Sequence, residues 1–423
     1  MLDRPIITSL LEPDFYKFTM GQFVWRRYPN VRVTSAFRNR TKNVHLGNVL
    51  DIGQIREELD HVRTMRFTNS ELHYLRGTNE YGERMFCEDF LQFLKGLRLP
   101  EYLLEKDGDA IRLEFDGSWP EQIYWETIGL SVVNELYARK LMKPLSRFEQ
   151  DMVYATGRTR LAEKIKILRE HPGLKFSDFG SRRRFSQQWQ EYVGEVLRDE
   201  LPSQFLGTSN TYLANLTGVT PMGTSAHELQ MVIAGLHDNG EDGWLGIAQR
   251  EAVDGWWDEY GEGLSIFLPD TYGSDFFLAN LVRKDLEQWK GFRQDSDDPF
   301  VFGEKIIARY ERDSLDPKEK LLIPSDGLTL EPVMVPLDDR FHERIKLSYG
   351  WGTNLTNDLF GNVWQNGLWY GPLSLVVKPI LADGHHLVKL SDNVAKATGD
   401  PATIERYKLA AGYTNVNSVA CVY

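Results

Sequence analysis

Between residues 170 and 360, short apolar runs alternate with helical patterns, and each apolar run ends in a loop of small, acidic or basic residues. Six such loops recur. They are Asp178-Phe179-Gly180-Ser181-Arg182-Arg183-Arg184, Gly207-Thr208-Ser209-Asn210, Leu268-Pro269-Asp270-Thr271-Tyr272-Gly273, Arg293-Gln294-Asp295-Ser296, Ser325-Asp326-Gly327 and Gly350-Trp351-Gly352-Thr353-Asn354. Strand, loop and helix in repetition predict a parallel α/β barrel, whose active site lies at the carboxyl ends of the strands. The clearest helix follows the arginine loop, where Trp189, Tyr192, Val193, Val196 and Leu197 share one stripe.

Outside this stretch the rhythm changes. Val31, Val33, Ser35 and Phe37 alternate with Arg32, Thr34, Ala36 and Arg38, which predicts a half-buried strand. Ile111, Leu113 and Phe115 predict another, ending in a turn at Asp116-Gly117. A helix is predicted from about Glu126 to Met142, with Leu130, Val133, Leu136 and Tyr137 on one side. After Pro372, Leu375-Val376-Val377-Lys378 and His386-Leu387-Val388-Lys389-Leu390 flank Asp383-Gly384, a hairpin expected to rejoin the N-terminal sheet. A weakly patterned polar tail follows. The expected division is an N-terminal domain over residues 1–140, completed by about 372–423, and a barrel over 141–371.

At 423 residues the chain is too long for one ordinary core, which agrees with two domains. The formal net charge of −12 argues against non-specific nucleic-acid binding, so an anionic substrate needs a local basic cluster. Cys87 and Cys421 are the only cysteines, which leaves no disulfide framework and no cysteine metal site. The opening Met1-Leu2-Asp3-Arg4-Pro5 lacks a signal-peptide pattern, and no apolar run approaches the ~20 residues of a membrane span. A cytoplasmic protein without a membrane or nucleic-acid partner is expected.

The loops also carry candidate chemistry. Three adjacent arginines are ordinarily a solvated run. At the start of a helix Arg182 suits a phosphate or diphosphate, while Arg183 and Arg184 are expected to be partly structural. His227, in Gly223-Thr224-Ser225-Ala226-His227-Glu228, has small residues before it and an acid beside it, so its imidazole can be accessible and oriented. No HExxH-like pair is present, and no metal ligands are assigned. Asp270, Asp295 and Asp326 each follow a predicted strand. They read either as helix caps or as carboxylates converging on a ribose, Mg²⁺ or a developing positive charge. Arg293 suits a carboxylate or phosphate. Tyr16 opens a helix and on pattern alone reads as core.

Taken together, these segments resemble the nicotinate phosphoribosyltransferase family. The resemblance rests on Ser9-Leu10-Leu11, Asp14-Phe15-Tyr16-Lys17, the arginine loop, Gly207-Thr208-Ser209-Asn210, the segment around His227, Gly291-Phe292-Arg293-Gln294-Asp295-Ser296 and Gly350-Trp351-Gly352-Thr353-Asn354-Leu355-Thr356, in that order. It implies a homodimer of an irregular α/β barrel, of the type II phosphoribosyltransferase kind, and an α/β sandwich-like domain. It also implies transfer of a phosphoribosyl group from 5-phosphoribosyl-1-diphosphate to nicotinate, with Mg²⁺ and coupled ATP hydrolysis, as the entry to NAD salvage. By the resemblance His227 is phosphorylated by ATP. Phe179, with Tyr16 of the neighbouring subunit, sandwiches the pyridine ring. Arg293 pairs with the nicotinate carboxylate and Arg182 with a substrate phosphate. Asp270, Asp295, Asp326 and the Gly350–Gly352 loop, with Thr353 beside it, surround the phosphoribosyl group.

One run departs from the family. Gln294-Asp295-Ser296-Asp297-Asp298-Pro299 stands where the family reads His-Asp-Ser-Gly-Asp-Pro, so Asp297 replaces a glycine. Ser209 stands where the related nicotinamide phosphoribosyltransferase carries an aspartate, and a neutral serine better tolerates a carboxylate ligand. That amide-specific enzyme and a nonenzymatic nucleotide-binding relative are the alternatives.

Overall fold

The alternating residues at the start of the chain form the strand Arg32–Asn39, with Val33, Ser35 and Phe37 buried on one face. It lies between two antiparallel neighbours, Ala110–Ser118 on one side and Leu375–Ala382 on the other. Tyr102–Asp107 and His385–His386 complete a five-stranded sheet at its edges. The two ends of the chain therefore share one sheet, with Phe37 opposite Val377. A computed structural model describes residues 4–80 and 83–414.

Two local expectations need correction. The chain does not turn at Asp116-Gly117; the strand continues to Ser118, with Asp116 opposite Thr34 and Gly117 opposite Val33. Asp116 accepts a hydrogen bond from Thr34 Oγ1 at 2.8 Å, and a Cβ at Gly117 would lie 2.8 Å from the Pro100 ring. Cross-strand pairing and packing thus use the two residues that locally resemble a turn. The C-terminal hairpin forms, but its second arm is only His385–His386. Beyond it Lys389 pairs with Thr398, and Leu390 N–H donates to the Thr271 carbonyl, so this segment leaves the sheet and reaches the parallel strands.

Each of the six predicted loops follows a parallel strand: Phe176–Asp178, Phe205–Thr208, Ile266–Phe267, Gly291–Gln294, Leu321–Pro324 and Tyr349–Trp351. Two more strands, Thr220–Pro221 and Lys346–Leu347, are too short to leave a pattern. The eight form two parallel four-stranded sheets. Residues 346–351 join these sheets, because Lys346–Leu347 pairs with Leu321–Leu322 and Tyr349–Trp351 pairs with Phe176–Asp178. The result is an open, irregular α/β barrel.

The helix Gln187–Glu200 buries Trp189, Val193 and Leu197, each worth roughly 1.5–3 kcal/mol when fully removed from water. Helix Trp125–Met142 is buried on almost every side, because it packs against both the arginine loop and strand Leu375–Ala382. The polar tail contains a helix, Pro401–Ala411, capped by the Asp400 side chain and ended by left-handed Gly412. Residues 415–423, Cys421 among them, and residues 1–3 lie outside the described part. No helix among the described residues is long and apolar enough to cross a membrane.

Candidate active site

The carboxyl ends of the parallel strands bring three predicted residues together. His227 is the first residue of the helix His227–His237, Asp270 lies in a short turn after Ile266–Phe267, and Asp295 directly follows Gly291–Gln294. His227 Nε2 lies 2.9 Å from Asp295 Oδ2 and 3.7 Å from Asp270 Oδ1, while Nδ1 lies 3.0 Å from Thr271 Oγ1. A residue not singled out in the sequence completes the group. Lys389 Nζ sits 2.9 Å from His227 Nε2 and 3.2 Å from Asp270 Oδ2, deep in the protein. None of the three aspartates acts as the cap of the helix Pro299–Arg312; Asp298 does, accepting from the amides of Phe300 and Val301.

Burial lowers the His227 pKa to about 4, and the Lys389 ammonium pushes the same way against Asp270 and Asp295. The imidazole is therefore neutral at neutral pH and keeps one nitrogen lone pair. Burial alone would raise Asp295, but Arg293, His227 and Lys389 hold it well below the usual carboxylate range. Asp270 is likewise lowered against the effect of burial, chiefly by Lys389. For Asp326 burial prevails and its pKa rises, although Lys396 Nζ lies 2.5 Å away.

The donor set bears on Mg²⁺. Asp270 Oδ1 is buried without a hydrogen-bond partner, and oxygens of Asp270 and Asp295 lie with a His227 nitrogen within 4.8 Å of one another. Two carboxylates suit this hard cation, and an imidazole nitrogen does not add to its preference. Asp270 and Asp295 thus fit as two of the oxygen donors such an ion takes.

The arginine loop does not open the α-helix as expected. Ser181–Arg183 form one 3₁₀ turn, Arg184 is extended, and the helix starts after Ser186, whose hydroxyl accepts from Trp189 N–H. The three arginines consequently diverge. Arg182 lines the cavity, 3.6 Å from Glu126 Oε1 and 4.0 Å from Asp14 Oδ2. Arg183 lines the same cavity and donates to the Leu375 carbonyl. Arg184 is fully buried, pairs with Glu12 at 2.8 Å and ties the N-terminal segment down.

Further cations on this cavity come from outside the barrel loops. Arg40 follows the first strand, Lys378 lies in Leu375–Ala382, and Lys389 and Lys396 lie in the segment beyond it. With Arg182, Arg183 and Arg293 they line the cavity together with Asp295 and Asp326. The local basic cluster demanded by an anionic substrate is thus assembled from distant parts of an acidic chain. Gly352, Thr353 and Asn354 close another side of this cavity. Gly350 lies just behind, where a Cβ would stand 2.5 Å from the Phe179 ring, so only glycine lets that ring keep its place.

A second cavity of about 700 Å³ adjoins the first, and Phe179, Arg182 and Arg293 line both. Tyr16, Asp14 and Ser209 belong to its wall. One chain brings Tyr16 and Phe179 to one cavity, whereas the resemblance takes Tyr16 from a neighbouring subunit. The reason is local docking. Asp14 bridges Asn210, Phe15 N–H donates to the Ser209 carbonyl at 2.7 Å, and Arg184 anchors Glu12. Ser209 is not a simple neutral wall either, since its hydroxyl donates to Asp14 Oδ1 at 2.7 Å. Burial raises the Asp14 pKa, with Arg182 and Ser209 opposing it only in part. Arg293 contacts Ser325 Oγ, the Ser225 carbonyl and, at 3.6 Å, Asp295.

Glu228 does not orient the histidine, contrary to one sequence-based option. It turns away to Lys17 and to Trp119 Nε1, leaving Thr271 and Asp295 to hold the ring. The position where the resemblance expects a glycine has a clear conformational trace. Asp297 adopts φ +65°, and Gln294 Nε2 donates to the carbonyls of Ser296 and Asp297 at 2.7 and 2.9 Å. The loop therefore keeps a backbone turn suited to glycine although the side chain has changed.

An α/β barrel with its histidine, carboxylates and arginines gathered at the carboxyl ends of parallel strands defines a barrel-type enzyme. The family model described as nicotinate phosphoribosyltransferase matches residues 174–414, and the model of that family's N-terminal domain matches residues 11–134. Two solved structures are similar over almost the whole chain. Nicotinate phosphoribosyltransferase from Vibrio cholerae is 32% identical, with 97% of this chain and 95% of that one covered and a TM-score of 0.86. The enzyme of that name from Porphyromonas gingivalis is 30% identical, covering 96% and 100%, with a TM-score of 0.83. The chain belongs to the nicotinate phosphoribosyltransferase family and is an enzyme.

Proposed function

We propose that this enzyme transfers the phosphoribosyl group of 5-phosphoribosyl-1-diphosphate to nicotinate, giving nicotinate mononucleotide and diphosphate at the entry to NAD salvage. The observation that carries this reading is the placement of Arg293 at the junction of an aromatic cavity and a cation-rich one. A pyridine ring between Tyr16 and Phe179 would set its carboxylate against Arg293. Arg182, Lys378 and their neighbours would take the phosphates of the second substrate.

The chemistry asks little proton transfer of the protein. The pyridine nitrogen carries its lone pair at neutral pH and attacks the anomeric carbon, while the bond to diphosphate breaks and the electron pair leaves with that group. Asp295 and Asp270 stabilise positive charge on the sugar, and the two cavities hold the reactants in line. Asp326, Gly350, Gly352 and Thr353 shape the phosphoribosyl side. Mg²⁺ held by Asp270 and Asp295 would offset the charge of the diphosphate.

ATP enters as co-substrate through phosphorylation of His227. Support comes from the neutral imidazole and from Lys389, an ammonium placed to face the phosphoryl group. The reading includes a cytoplasmic homodimer with residues 1–140 and 372–423 as one domain and 141–371 as the other, the shared antiparallel sheet being the support for that division. One observation favours nicotinamide as a second reading. The Ser209–Asp14 pair sets a carboxylate beside the ring cavity, where an amide N–H could donate.

The test is an assay with phosphoribosyl diphosphate, Mg²⁺ and ATP, with nicotinate and nicotinamide compared by kcat/KM. Preference for nicotinate supports the first reading, and preference for the amide replaces it with the second. Acid-labile, base-stable labelling from γ-labelled ATP, lost in His227→Ala, tests the phosphohistidine. A labelled His227→Ala protein would place the phosphate elsewhere.

A further inference from the structure

Glu126 belongs to no motif and lines neither cavity, yet three cations converge on it. It lies in helix Trp125–Met142 and is 6% exposed. Its carboxylate is 2.7 Å from Lys17 Nζ, 3.5 Å from Lys378 Nζ and 3.6 Å from Arg182 Nη1, and it accepts from the Tyr16 hydroxyl at 3.3 Å. Three of these four groups, Arg182, Lys378 and Tyr16, face the cavities. Lys17 is fully buried and shared with Glu228, 2.5 Å away on the other side.

We propose that Glu126 is a positioning residue, which holds Arg182 and Lys378 side by side, charged and aimed at the phosphates of phosphoribosyl diphosphate. The inference rests on the proposed reading of the cavities. Two cations facing one cavity repel each other while it holds no anion, and burial favours loss of a proton from the lysine. A buried carboxylate behind both counters each effect without occupying substrate space. Lys17 fixes that carboxylate from behind, and Glu228 fixes Lys17.

The titration of Lys378 gives a readout that general loosening would not move. Burial lowers its pKa to about 8; Glu126 opposes this fall, while Arg182, Lys389 and Lys17 add to it. Those groups come from helix Trp125–Met142, the arginine loop, the segment beyond His385–His386 and the N-terminal helix that carries Lys17. In the wild type, kcat/KM for phosphoribosyl diphosphate should decline as pH rises through about 8, since this ratio reports the free enzyme. Without the Glu126 charge the proton leaves more readily, so the decline moves to lower pH.

Glu126→Gln is accordingly expected to raise KM for phosphoribosyl diphosphate about tenfold at neutral pH, the loss of roughly one charge-assisted contact, with a smaller change in kcat. Its alkaline limb should lie below that of the wild type, and Glu126→Asp, which keeps the charge, should restore the limb. If Glu126→Gln does not fold, Lys17→Gln/Glu126→Gln preserves overall charge and should show the limb displaced the same way, by less because Lys17 no longer adds to the fall. A wild-type limb and KM in either folded variant overturns the proposal. So does an equal loss of kcat for all substrates without movement of the limb. The same pH series, read as phosphoribosyl diphosphate affinity by calorimetry, does not depend on nicotinate turnover. Absence of nicotinate mononucleotide from the wild type would remove the functional reading and still leave Glu126 tested.

Discussion

The loops after the parallel strands and the segment returning from the antiparallel sheet supply opposite halves of one site. The loops bring His227, Asp270, Asp295 and Asp326, with Arg182 and Arg293. The returning segment brings Lys378, Lys389 and Lys396, each less than a tenth exposed. Neither half is electrically comfortable alone, because buried carboxylates and buried ammonium groups each need a partner. Docking the C-terminal segment therefore completes both the sheet and the charge balance of the site. In a chain of net charge −12, this builds a cationic cavity without a cationic surface.

Breaking that pairing at its most buried contact should have the largest effect. Lys389→Met leaves Asp270 and Asp295 without their ammonium, and loss of one partner of a buried pair costs about 3–5 kcal/mol. A correspondingly lower urea midpoint is expected, and Asp270→Asn in the same chain should recover part of it. Additive losses in the double variant would mean that the two halves do not depend on each other. A smaller loss is expected from Arg293→Ala, which removes a loop residue at the junction of the cavities. It should lower kcat/KM for nicotinate by about 2–3 kcal/mol, on the order of a hundredfold, and that for nicotinamide much less. Equal losses for acid and amide would detach Arg293 from the carboxylate.

A comparison within the ring cavity is weaker still. Tyr16→Ala or Phe179→Ala should each cost about 1 kcal/mol of nicotinate binding from the lost ring contact. Mixed dimers of the two variants decide where Tyr16 comes from: no recovered activity means that one chain supplies both rings, as in the cavity they share. Recovery after subunit exchange would restore the shared site expected from the resemblance.

The two halves also differ in how far the sequence revealed them. Every loop lies directly after its strand, so an apolar run followed by Asp270, Asp295 or Arg182 marks the site locally. The lysines depend on partners far away: Lys389 meets His227 across 162 positions, and Lys396 meets the Asp295 carbonyl across 101. A signal was still present. Lys378 and Lys389 each interrupt a short apolar run, and a lysine in a buried strand demands a carboxylate somewhere in the fold. Glu126 left no comparable mark, since an acid in the first turn of a helix ordinarily serves the helix dipole. Asp116-Gly117 misled for the opposite reason, because its local turn chemistry was overruled by pairing with Arg32–Asn39.

The smallest expected effect concerns the loop at the boundary between the halves. Asp297 holds φ +65° where the resemblance expects glycine, and aspartate tolerates that conformation better than most side chains because its short carboxylate bonds locally. Asp297→Gly should relieve the remaining strain, while added freedom of the unfolded chain offsets part of the gain, leaving a stabilisation below about 1 kcal/mol. Gln294 grips this loop through the backbone carbonyls of Ser296 and Asp297, which the substitution retains. Asp295 should therefore stay beside His227, and turnover should be unchanged. A large fall in kcat with the melting temperature preserved would show that the Asp297 carboxylate itself takes part in handling the phosphorylated substrate. The loop half would then contain a fourth working acid rather than a tolerated replacement.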